Sequence, residues 1–333
     1  MKVNKLPTGY LFTDHYSKGE LETLSIGDYG KEHNVKADFL GYTKEIHGVP
    51  NMETKPLSEK WVMTLSTQYG CPMKCTFCDV PKIHFRGNAS EADLVSQFGN
   101  ARKCFPNVKY VERLNIHFAR MGEGTFNFDN IFSFCKFLQI NKDVNQKLYD
   151  LRIEVIHPVL TTMLPKRLYL SKLNDILQEW CKLKNDLYHG QAGLQLSINS
   201  TNDEQRNEMF ADESHSLEKI ASLCESLPEP VSRKYCLNFA FASNYEVEGI
   251  KLAKLFDPAK FMCKITPIHL NMACKENKIE TLNGYSSYAP YREAESSLKN
   301  AGFDVLVFIP SLDEEKGLVT CGNVILSGSQ ITC

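Results

Sequence analysis

The chain has 333 residues, with 38 Lys and Arg against 40 Asp and Glu, a formal net charge of −2 and 43% hydrophobic residues. That length buries one large core, and the near-balanced charge leaves no basic arm of the kind that long RNA usually demands. The apolar runs are too short to span a bilayer and Met1–Pro7 lacks an apolar signal segment, so a cytoplasmic protein without a membrane partner is expected.

Residues 1–60 form short mixed segments punctuated by Gly9, Gly19, Gly27, Gly30, Gly41 and Gly48, which predicts a small, β-rich N-terminal extension. From residue 61 to 310, stretches rich in β-branched residues alternate with amphipathic ones. Strands are predicted at Trp61–Ser66, Arg113–Phe118, Leu151–Ile156, Leu194–Asn199, Cys236–Phe241 and Met262–Pro267, with a later one at Asp304–Ile309. Helices are predicted at Glu91–Cys104, Asp129–Leu138, Lys166–Leu183, Ser216–Leu227, Tyr245–Phe256 and Tyr291–Ala301, the first opened by a capping box at Ser90 and Asp93. This alternation means parallel strands with crossover helices. The fold class is therefore α/β, a partial (β/α)6 barrel of the TIM type, followed by a C-terminal segment at 311–333. In such barrels the chemistry gathers at the C-terminal ends of the strands.

Directly after the first barrel strand comes Cys71-Pro72-Met73-Lys74-Cys75-Thr76-Phe77-Cys78. Twelve cysteines in a long chain without a signal segment point to reduced thiols and metal ligation rather than disulfides. A zinc site usually pairs CxxC units or mixes Cys with His, and three unrelated buried cysteines are the other bland reading. Three thiolates at this spacing hold three irons of a [4Fe–4S] cluster and leave the fourth iron open, where ferredoxins supply a fourth cysteine. An open iron can be chelated by the amino and carboxylate groups of S-adenosylmethionine (SAM). The metal ligands are thus Cys71, Cys75 and Cys78. Phe77, the aromatic residue before the last cysteine, joins the cofactor-binding residues.

Further along, Gly122 lets backbone approach a ligand and Glu123 offers a carboxylate to an ammonium group. Ser197 and Asn199 share one face of a strand by their period of two, so both can point into the barrel mouth, toward the ribose or the amino-acid part of SAM. Taken singly, the first pair also reads as a turn and the second as a satisfied inner-barrel pair.

In order, Leu65–Cys71, Arg120–Asn127, Leu196–Arg206, Asn238–Asn244 and Thr320–Asn323 resemble successive motifs of the radical-SAM RNA methyltransferases RlmN and Cfr. The resemblance implies a radical-SAM barrel, a [4Fe–4S] cluster, SAM as cofactor, and a flavodoxin or ferredoxin as electron donor. It implies that Cys321 is methylated by SAM and passes the one-carbon unit to an unactivated sp2 carbon of an adenine. It assigns Glu53, in Met52-Glu53-Thr54, as the base of that reaction, and places His269 where the family has an asparagine near the adenosine.

Two departures stand out. The family's resolving cysteine, seven residues before the first cluster ligand, is Thr64 here, and Cys333 is the nearest thiol to Cys321 in the tail. With about sixty residues before the first strand, the family's N-terminal RNA-binding domain has no room, which opens the substrate to RNA or to a smaller adenine-like or heteroaromatic molecule. Two other functions stay open: different radical chemistry without a methyl-cysteine, and a non-catalytic iron–sulfur protein.

Overall fold

A computed structural model describes residues 1–6, 9–27, 56–268, 270–279, 291–308, 322 and 324–328. Strands β4 (Lys60–Leu65), β7 (Tyr110–Phe118), β8 (Arg152–Thr162), β9 (Gly193–Ser197), β10 (Tyr235–Phe241), β11 (Phe261–Pro267) and β12 (Asp304–Val307) lie side by side in that order, all parallel. Strands β1 (Lys2–Leu6), β2 (Gly9–Tyr16) and β3 (Gly19–Gly27) continue the sheet antiparallel beyond β4. A small ribbon of β5 (Gln68–Tyr69) and β6 (Gly87–Asn88) brackets the cysteine loop. Among the described residues the parallel part thus has seven strands. Residues of its first and last strands, Thr64 and Leu306, line one shared cavity, so the sheet curls into the partial barrel that the sequence predicts.

The strands alternate in burial because their two faces meet different surroundings. In β4, Trp61, Met63 and Leu65 are buried and point toward the helices. Leu114, Ile116 and Phe118 of β7 and Leu194 and Leu196 of β9 do the same, and the main core lies between sheet and helices. The opposite face carries Val62, Thr64, Asn115, His117 and Ser197 around the cavity. This alternation is unlike the all-apolar strands of a sheet buried on both sides.

The covering helices are α1 (Glu91–Lys103), α2 (Phe128–Ile140), α3 (Lys142–Tyr149), α4 (Leu170–Lys182), α5 (Asp203–Met209), α6 (Leu217–Glu225), α7 (Gly249–Ala253), α8 (Met272–Glu276) and α9 (Arg292–Asn300). The capping box of α1 is present: Ser90 Oγ accepts from Asp93 N at 3.1 Å, and Asp93 Oδ2 accepts from Ser90 N at 2.8 Å. Helix α4 starts four residues later than its apolar period suggests. The preceding residues are tied to another segment, with Lys166 N donating to Glu213 O at 2.7 Å and Arg167 paired with Glu213. Strand β8 runs through Pro158 to Thr162, past the predicted end at Ile156, and β9 pairs with it only from Val159 onward.

Candidate active site at the barrel mouth

The cysteine loop leaves β4 through Ser66-Thr67-Gln68, three buried polar residues whose hydrogen bonds are all directed. Gln97 of α1 donates to Ser66 O at 3.0 Å and accepts from Ser66 N at 2.9 Å. Met121 O accepts from Thr67 N at 2.8 Å and from Thr67 Oγ1 at 3.1 Å. Two motifs that lie fifty residues apart are therefore one hydrogen-bonded unit. Gly122 sits in it at φ +103°, where a Cβ would come within 2.7 Å of both Thr67 Oγ1 and Gln68 Cβ. Only glycine fits this position without displacing the cysteine loop.

Cys71, Cys75 and Cys78 are half-buried in an apolar collar. Cys71 and Cys75 pack with Phe77 against Met73, Met163 and Phe210, while Cys71 and Cys78 pack against Val80, Met121 and Val324. Cys75 Sγ lies 3.7 Å from Met163 Sδ. Among the described residues no three His, Cys, Asp or Glu side chains are drawn together as around a single ion. A cubane cluster asks for less convergence, because each thiolate takes its own iron. Three thiols on one loop inside a soft apolar collar fit such a cluster, whose potential depends on that shielding.

Glu123 is buried, and its carboxylate is occupied by the chain itself. Oε1 accepts from Thr125 Oγ1 at 2.7 Å and from Thr125 N at 3.2 Å, and Oε2 accepts from Met163 N at 3.0 Å. Burial pushes its carboxyl above the usual range, and these donors together with the Thr162 hydroxyl pull it back. Here Glu123 caps the 3-10 turn Gly124–Asn127 and holds Met163 against Cys75. The sequence expectation that Glu123 accepts from a ligand's ammonium rests on the same carboxylate.

Beyond the loop lies a cavity of about 370 Å³, with Phe77, Ser197 and Asn199 in its wall. Ser197 ends β9, but Asn199 reaches the wall through a left-handed residue, φ +64°, rather than by strand alternation. Asn199 Oδ1 accepts from Ala240 N at 3.0 Å, while its buried Nδ2 has no partner among the described residues. The hydroxyls of Thr161 and Thr266, in the same wall, likewise have no partner among the described residues. Buried polar atoms left in this state cost free energy unless a ligand or water meets them, so this wall is suited to a polar molecule such as SAM.

His117 and His157 also face the cavity. Burial, then Lys264, Lys60 and Arg233, pushes the His117 imidazole down to about 3, and burial followed by Arg233 and Arg113 holds His157 well below its ordinary value. His157 Nδ1–H donates to Gln191 O. The unfolded chain takes up these protons as pH falls below about 6.5, whereas the folded chain does not. Stability is thus full above that pH and falls between about 6.5 and the lowered values, by at most about 1.4 kcal/mol per unit for each histidine. Urea midpoints should drop between pH 6.5 and 5, and His117→Gln should flatten part of that drop.

Gly322, the neighbour of Cys321, rests on the cysteine loop. A Cβ on Gly322 would stand 3.7 Å from Cys78 Sγ, and Gly322 O accepts from Asp79 N at 2.8 Å and from Asn271 Nδ2 at 3.1 Å. Val324 is fully buried beside Val80 and Met121, and Leu326 N donates to Glu22 Oε1 at 2.6 Å. Cys321, Glu53, His269 and Cys333 lie outside the described residues. Thr64 stands in the cavity wall. Sequence reasoning missed Asp79, Met163 and Asn271. Only Asn271, an N-cap type residue ahead of a short helix, carried a local signal.

No family model matches the chain. It is 24% identical over 211 residues to the probable dual-specificity RNA methyltransferase RlmN of Pseudothermotoga lettingae, covering 62% of this chain and 54% of that protein. It is 24% identical over 262 residues to the dual-specificity RNA methyltransferase RlmN of Pseudomonas fluorescens, covering 76% of this chain and 61% of that protein. The chain therefore spans less than two thirds of the length of these relatives. In fold it is similar to a radical SAM methyltransferase from Sphaerobacter thermophilus, with a TM-score of 0.67 at 14% identity over 97% of this chain and 80% of that one. Ordered motifs, relatives and fold agree in one likeness, that of the chain to RlmN-type radical-SAM methyltransferases.

Proposed function

We propose that this chain is a radical-SAM enzyme that adds a SAM-derived one-carbon unit, through Cys321, to an sp2 carbon of an adenine or similar heteroaromatic. The substrate is RNA or a smaller molecule. The observation that carries the reading is the docking of Gly322 on the cysteine loop, which ties the neighbour of Cys321 to the backbone of Phe77–Asp79. Cys71, Cys75 and Cys78 would hold the [4Fe–4S] cluster, which with SAM supplies one-electron cleavage of the sulfonium when both are bound.

The chain's own residues do the rest. The Asn199 amide and the Thr161 and Thr266 hydroxyls offer unspent polar groups to a ligand in the cavity. The apolar collar of Met73, Met163 and Phe210 shields one side of the loop, which suits a reactive carbon-centred species. The Cys321 thiol would carry the carbon and Glu53 would take a proton from the substrate adduct. Lys60, Arg233 and Lys264 in the cavity wall suit a substrate that carries phosphate. Among the described residues no helix is long and apolar enough to cross a membrane, and the reading places the enzyme in the cytoplasm with a flavodoxin or ferredoxin as electron donor.

Thr64 in the cavity wall favours one second reading. A hydroxyl cannot form the disulfide that frees the methyl-carrying cysteine in the family, so the same scaffold would serve different carbon chemistry, with Cys321 unmethylated. Mass spectrometry of protein isolated from cells decides between them. The first reading expects about 14 Da (one CH2 unit) on the Cys321 peptide. Its absence, together with full activity in Cys321→Ala, would replace it by the second.

A further inference from the structure

The loop before α8 bears on how Cys321 is presented. Asn271 is buried between β11 and α8, and all of its amide hydrogens are spent. One N–H of Nδ2 reaches Phe77 O at 2.8 Å and the other reaches Gly322 O at 3.1 Å. Its Oδ1 accepts from Cys274 N at 2.8 Å, capping α8. The amide orientation is unambiguous, since a flipped side chain would set its oxygen against two carbonyls and its nitrogen against an N–H.

Gly322 O takes a second donor, Asp79 N, at 2.8 Å, and Asp79 Oδ1 accepts from Ala273 N at 2.9 Å. The first turn of α8, the cysteine loop and the Gly322 peptide thus meet at one carbonyl oxygen, whose two lone pairs are both used. Gly322 adopts φ +86°, a conformation that most side chains avoid, and a Cβ placed on it would meet Cys78 at ordinary van der Waals distance.

We propose that Asn271 is a positioning residue for Cys321: its amide clamps the Gly322 peptide, next to Cys321 in the chain, to the Phe77 peptide of the cysteine loop. The proposal rests on the reading of Cys321 as the one-carbon carrier. The cap and the clamp use different atoms of one side chain, so a single substitution separates them. Asn271→Asp keeps an oxygen for Cys274 N, removes both donors, and faces two carbonyls with an acceptor.

The test compares wild type and Asn271→Asp in two states. In cluster-free protein, hydrogen exchange in the peptide around 318–327 should speed up about tenfold or more, while that of α8 stays unchanged. In protein isolated from cells, the fraction of Cys321 carrying the added CH2 should fall about tenfold, with iron content retained. Unchanged exchange around 322 overturns the clamp, and so does equal loosening of α8, which marks Asn271 as a helix cap only. If wild-type Cys321 carries no modification, the one-carbon reading fails by itself, and the exchange result still judges the clamp.

Discussion

Alanine in place of Cys71, Cys75 and Cys78 together should leave a folded protein that holds no cluster and produces no 5′-deoxyadenosine from SAM. Wild type reconstituted without oxygen should carry about four irons and four sulfides per chain. Each thiolate serves one iron, so each single replacement leaves an iron without a protein ligand and should lower SAM cleavage at least about a thousandfold. The fold should survive. The loop is held by bonds that do not involve the thiols: Thr67 N to Met121 O, the Gln97 amide to Ser66, and Asp79 N to Gly322 O. Circular dichroism checks that point, iron and sulfide analysis the cluster, and chromatography the nucleoside. Steady 5′-deoxyadenosine production by the triple variant would remove the basis for a radical-SAM activity.

The largest stability effect should come from the buried pair Arg120–Glu22. Arg120 NH2 and Nε lie 2.8 and 3.1 Å from Glu22 Oε2, and both side chains are almost wholly buried. Glu22 Oε1 accepts the Leu326 N–H, so one carboxylate joins β3, the end of β7 and the segment that follows Gly322. Removing one partner strands the other charge in a low-dielectric interior, which costs roughly 3–5 kcal/mol. Arg120→Met should therefore lower the urea midpoint strongly at pH 7. Removing both charges, as Arg120→Met with Glu22→Leu, should restore much of the loss. A single-variant cost below about 1 kcal/mol would mean that the pair is not the anchor described.

The features legible in the sequence were the local ones. The cysteine triplet, the Ser90–Asp93 cap and the β-branched strands are each written in fewer than a dozen residues, and the α/β class follows from their alternation. Short polar helices such as α3 and α5 left no apolar period to read. Pro158 concealed the second half of β8 because proline inside a central strand is ordinarily a stop signal. Within the site, Ser197 and Asn199 both line the cavity, but the left-handed turn that brings Asn199 there has no signature in a period-two pattern. Glu123 could be picked out, yet its four donors could not, since Met163 is forty residues away. The Glu22–Leu326 and Asn271–Phe77 bonds join residues 304 and 194 positions apart, where one sequence holds no record of proximity.

The outermost strand, β1, bears on solution behaviour. Among the described residues it pairs on one side only, with β2, and four of its five residues are exposed. An open strand is a template for another chain, but Lys2 and Lys5 in this one would have to give up hydration against a like-charged copy to pair. The two lysines thus act as guards against edge-to-edge stacking. Exchanging both for valine should turn a tractable protein into one that self-associates at high concentration, visible as rising light scattering without any change in the cysteine loop.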